Sequence, residues 1–77
     1  MFDINQISCD PDSGMHICSC PCNSPQEAEY LVASCIHISR MLSMSGNMYT
    51  KGSIAYIEAY LSDDVIRIAN CINKQIP

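Results

Sequence analysis

Three cysteines at alternate positions, Cys18, Cys20 and Cys22, follow His16 in the stretch Met15 to Cys22, MHICSCPC. Thiols held this close together can bind a soft metal or close disulfides. A set of Cys18, Cys20, Cys22 and Cys71, with His16 in reserve, has the donors that suit Zn, and close thiolates suit Cu(I). Zinc ligands are usually paired as C-x-x-C, and the chain contains no such pair. The same residues in structural disulfides are the plainer alternative. Cys20-Pro21-Cys22 also offers a dithiol for redox exchange.

His37, Met41, Met44 and Met48 could form a thioether–imidazole face for Cu(I). Methionines at helical spacing more often fill a core or make an adaptable contact surface. No nucleophile elbow links the Ser, His and Asp residues, and three isolated glycines cannot cradle a phosphate. Catalysis is therefore not the leading expectation.

The elements that hold these side chains must come from 77 residues, enough for one domain over 1–77. A chain this small often needs a staple, and six cysteines could supply it. An even cysteine count points to a secreted, oxidised chain. The Met1 start, with no basic-then-apolar leader, points to a cytoplasmic chain with reduced or metal-bound thiols. The net charge is −4, and Arg40, Lys51, Arg67 and Lys74 form no basic stripe, so no nucleic acid partner is expected. No apolar stretch suffices for a membrane span.

Residues 1–24 read as an irregular Cys-rich segment, with a turn cluster at Asp10-Pro11-Asp12-Ser13-Gly14. His16 to Cys22 could be extended, with Cys18 and Cys22 expected to point one way and Cys20 the other. Ser24-Pro25-Gln26-Glu27 opens a helix: Ser24 caps it, Pro25 suits its first position and Glu27 completes a capping box. Ala28, Leu31, Cys35, Ile38 and Leu42 form one apolar stripe, and Tyr30, His37, Met41 and Met44 a second. The helix is expected over about 25–44. After a polar loop at 45–52, Ile54, Ile57, Leu61, Val65, Ile68 and Ile72 predict a second helix over about 53–74. Asp63-Asp64 marks an exposed face or a break after Ser62.

The expected fold is therefore mainly α: an antiparallel helical hairpin over 25–77, with the Cys-rich segment stapled across its open end by disulfides or metal. In that register Cys35 and Cys71 lie about 13 Å apart along the helices, beyond the ~7 Å a disulfide tolerates. Cys71 is expected beside Cys20 and Cys22, linked to one of the three clustered cysteines.

Cys20-Pro21-Cys22, the text SCIHIS around Cys35 and NCINKQIP around Cys71 resemble the mitochondrial intermembrane-space import oxidoreductase of the twin-cysteine hairpin family. That resemblance implies thiol–disulfide exchange on a helical hairpin. Pro25 and Leu61 stand where that family has the second cysteine of each helix. HICSCPCN is similar to the start of bacterioferritin-associated ferredoxins, whose later C-x-x-C pair has no counterpart here.

Two helices offer more apolar surface than one hairpin interface covers. Tyr30, His37, Met41, Met44, Tyr56 and Tyr60 are the expected protein-contact face, for a partner protein or for self-association. The expected function is a small non-enzymatic interaction module: an inhibitor, adaptor or secreted factor. A metal-binding regulator or carrier on Cys18, Cys20 and Cys22 is the alternative, and a thiol–disulfide oxidoreductase on Cys20-Pro21-Cys22 the third reading.

Overall fold

The computed structural model describes residues 1–75; Ile76 and Pro77, the last two positions of the expected single domain, lie outside them. The elements in order are β1 (Ser8–Cys9), β2 (His16–Pro21), α1 (Pro25–Met41), β3 (Asn47–Lys51), β4 (Ile54–Ala59) and α2 (Ser62–Gln75). The strands form one antiparallel sheet in the order β1-β2-β4-β3. β4 thus sits between β2 and β3, the two strands that α1 connects, a split β-α-β arrangement.

Both helices pack on one face of this sheet. Cys18 and Cys20 of β2 and Ala55, Ile57 and Ala59 of β4 point into a core shared with Ala28, Val32, Cys35 and Ile38 of α1. Val65, Ile68, Ala69 and Ile72 of α2 complete it, and Phe2 is buried with them.

The mainly α hairpin is therefore replaced by an α+β fold. The first helix is where the sequence puts it. Ser24 is extended (φ −153°, ψ 159°), and its side chain accepts the Glu27 N–H at 3.1 Å. The helix stops at Met41, earlier than expected. Ser43 is left-handed at φ 53°, and two bonds close the last turn: Ser43 N–H to the Arg40 carbonyl at 3.2 Å and Met44 N–H to the Ser39 carbonyl at 2.9 Å. This is the Schellman ending, with Ser in the place glycine usually takes.

The expected second helix is wrong over its first half. Gly52-Ser53 is a two-residue hairpin loop between Lys51 and Ile54. Gly52 has φ +60° and Ser53 is not positive, which is the type II′ turn that matches strand twist. Ile54, Ala55, Tyr56, Ile57, Glu58 and Ala59 then alternate between the core and the opposite face. Ile54 and Ile57 share helical spacing with Leu61 by coincidence, and pairing on both sides of β4 decides their state. Helix α2 starts at Ser62, the break offered beside Asp63-Asp64, whose charges suit a helix N-terminus.

The Cys-rich segment is not irregular either, since β2 is a fully paired strand beside β4. The expected division of Cys20 from Cys18 and Cys22 also fails. A strand repeats every second residue, so Cys18 and Cys20 share the core face while Ser19 and Pro21 are exposed. The staple fails with the hairpin. Every cysteine is a free thiol, with no pair at bonding distance among the described residues. A sheet roofed by two helices buries its core without a cross-link. Among the described residues no helix is long and apolar enough to cross a membrane.

Candidate functional site

The thiols do not gather into one centre. Strand β2 carries Cys18 and Cys20 into the core, where they are 1% and 2% exposed. The Cys18 thiol donates to the Asp3 carbonyl at 3.4 Å. The Met1 ammonium lies 3.0 Å from Cys20 Sγ. Cys22, just past the strand, is half-buried and donates to the Cys20 carbonyl at 3.5 Å. His16 stands at the other end of β2, about 17 Å from Pro21 at strand rise. Its Nδ1 lies 3.1 Å from the Tyr60 carbonyl, so the Nδ1–H form donates there. Cys71 is half-buried on α2. Among the described residues no three His, Cys, Asp or Glu side chains are grouped to hold a metal ion.

Burial disfavours the ionised form at three of these thiols. It pushes Cys35 up to about 12, with the neighbouring Cys20 adding in the same direction. Burial also raises Cys18, helped by the Asp3 carboxylate and Cys20. Cys22 is raised by burial first and by Cys20 second. A thiol must ionise to attack or to ligate, and burial opposes that step at all three. In a native thiol titration at neutral pH, exposed Cys9 should react first. Cys18, Cys20 and Cys35 should react only when denaturant is added. Fast native reaction of Cys35 would contradict this burial.

The expected contact face is dispersed. Tyr30, His37 and Met41 do share the solvent side of α1, with Tyr30 79% and Met41 72% exposed. Met44 instead turns inward and packs against the core, as does Met48 from β3. Tyr60, 70% exposed, and Leu61, 63% exposed, sit in the link between β4 and α2. They border a cavity of about 450 Å³ with Met15, Gly46, Asn47 and Asp64. Tyr56 lies across the sheet from the helices.

The surface that sequence reasoning missed is that outer face of the sheet. Tyr49 of β3 and Tyr56 of β4 are opposite each other in the ladder. Their rings stack with centroids 5.1 Å apart and planes at 15°. Lys51 Nζ lies over both, 5.8 Å and 5.9 Å from the ring centroids, within cation–π range. The Tyr49 hydroxyl donates to Glu58 Oε2 at 3.1 Å, and Asn47 Nδ2 donates to Glu58 Oε1 at 3.0 Å. Partial burial raises the Tyr49 phenol, and the Glu58 carboxylate adds to the rise. Ile17, Ser19 and Ile54 are beside the stack on the same face. The signal was present: NMYTK and IAYIEA are alternating runs separated by Gly-Ser, a hairpin pattern.

A second cavity, of about 380 Å³, opens between the start of α1 and the end of α2. Met1, Cys20, Cys22, Tyr30 and Ile72 are among the residues that line it. No known protein family, curated protein or solved structure matches the chain. The twin-cysteine and ferredoxin resemblances therefore rest on their short texts alone.

Proposed function

We propose that this chain is a small protein-interaction module that binds through the outer face and free edge of its sheet. One observation carries the reading: both helices cover the same face, and the other face holds a stacked Tyr49–Tyr56 pair that neither helix covers. Tyrosines offer large, rigid contact area with a polar tip, the chemistry that interfaces favour. Lys51 and Glu58 frame the pair with opposite charges. The strongly exposed Tyr30, Met41, Tyr60 and Leu61 extend the apolar surface beyond what a lone small domain requires.

Site-specific crosslinking tests this in the cell of origin. A photoreactive benzoylphenylalanine at Tyr56 should yield a discrete protein adduct, and one at exposed Glu29 should not. Equal yields from both positions, or none from either, would remove the sheet face from the account.

A soft-metal carrier is the second reading. In its favour, Cys20 and Cys22 border the same cavity beside Met1. Anaerobic Cu(I) titration distinguishes it by a competitive affinity that Cys22→Ser abolishes. The oxidoreductase reading has no observation of this kind behind it.

A further inference from the structure

We infer that β3 is a dimerisation edge, to which a second copy of this chain adds its own β3 antiparallel about a twofold axis at Tyr49. The inference rests on the interaction-module reading and names the occupant.

The two edges of the sheet differ. On one side β1 is two residues long. Past it, the exposed edge of β2 carries Pro21, and a short strand and a proline both blunt an edge. On the other side β3 pairs one-for-one with β4 over Asn47–Lys51, with no bulge and no proline. Only Lys51, at its end, guards it.

The direction of the backbone groups follows from one bond. Cys22 N–H donates to the Ser53 carbonyl at 2.7 Å. Antiparallel pairs alternate between bonded and unbonded, so Ser53, Ala55 and Ile57 turn their backbone groups toward β2. Ile54, Tyr56 and Glu58 then turn theirs toward β3, where Lys51, Tyr49 and Asn47 meet them. Met48 and Thr50 are left pointing outward, and their N–H and C=O groups have no backbone partner on that side among the described residues.

A twofold axis at Tyr49 satisfies all of them. Met48 stands opposite the copy's Thr50, and Thr50 opposite the copy's Met48, both as bonded pairs. The two Tyr49 residues form an unbonded pair, whose closer approach of about 4.5 Å between Cα atoms suits facing aromatics. The Tyr56–Tyr49 stack then continues across the axis into the copy. Lys51 comes opposite the copy's Asn47, which holds the Glu58 carboxylate. Each ammonium therefore approaches a carboxylate, twice by symmetry, and no like charges meet. A slip of one residue would set core-facing positions against outward-facing ones.

Sedimentation over a micromolar to millimolar series tests the edge. The native chain should dimerise. Thr50→Pro removes an outward N–H and leaves the ladder to β4 intact, so it should sediment as a monomer with an unchanged far-ultraviolet spectrum. Lys51→Glu should raise the dissociation constant about tenfold, because two symmetry-related pairs become repulsive. Should the proline variant fail to fold, amide exchange of the native chain decides. Met48 and Thr50 amides should slow with protein concentration, while those of Asn47, Tyr49 and Lys51 stay as they are. A Thr50→Pro variant that still dimerises, or slowing centred elsewhere, would overturn the edge. A native chain that stays monomeric throughout would overturn the second copy, and Tyr56 crosslinks to a different protein would then still support the interaction module.

Discussion

Raising the pH from 8 to 11 should cost the folded protein on the order of 3 kcal/mol through Cys35 alone. Cys35 is fully buried on α1, and its thiol titrates at about 12 against an ordinary value of 9.0. The folded chain thus holds the proton more tightly than the unfolded chain. The stability linked to it is complete below pH 9.0 and drains as the pH climbs toward 12. Cys18, Cys22 and Tyr49 are all raised as well, so their contributions fall in the same direction over the alkaline range. Urea midpoints measured between pH 8 and pH 11 should decline steeply. Cys35→Ala should start somewhat less stable at pH 8, since it loses buried volume, and should decline less. A variant with the same pH slope as the native chain would show that Cys35 does not carry the effect.

Phe2→Ala should be more damaging at neutral pH. Phe2 is among the largest fully buried side chains, and its backbone is clamped to α2. Its N–H donates to Asn73 Oδ1 at 2.9 Å, and Asn73 Nδ2 donates to its carbonyl at 2.8 Å. Truncating a buried phenylalanine costs about 3–5 kcal/mol. A domain of this length holds only about 4–12 kcal/mol in total. The expected fall in Tm is roughly 15–30 °C. Asn73→Ala should cost less, about 1–3 kcal/mol, because it leaves the ring packed but two backbone groups unpaired. A Phe2→Ala variant melting within a few degrees of the native chain would show that the N-terminal segment does not hold α2 in place.

Local chemistry was the readable part of this chain. Ser24, Pro25 and Glu27 announced α1 because a cap works through atoms a few residues apart. The turn at Asp10–Gly14 was equally local: Asp10 N–H reaches the Met15 carbonyl at 2.8 Å, and its carboxylate accepts the Asp12 N–H at 3.0 Å. The stripe of Val65, Ile68 and Ile72 marked the true α2. What stayed hidden was β4. Its core positions are Ala55, Ile57 and Ala59, and small alanines weaken a two-residue alternation. Ile54 and Ile57 meanwhile matched a helical spacing that ran on through Leu61. Their state is set by β2, far away in sequence. The surface positions divided the same way: the exposure of Tyr30, His37 and Met41 was legible from a helix correctly placed, whereas the grouping of Tyr49, Lys51 and Glu58 depended on a sheet that was not foreseen.

The insertion of β4 between β2 and β3 also sets an order of events during synthesis. β1, β2 and α1 leave the ribosome as a roof and one wall with no centre. Cys18, Cys20 and Cys35 have no shelter until Ile54–Ala59 arrives and fills the middle of the sheet. At translation rates of about 5–20 residues per second, that leaves them open for seconds. The nascent chain, and not the finished domain, is therefore where this protein is expected to be most vulnerable to oxidants. Damage there would be recorded as chains that never close.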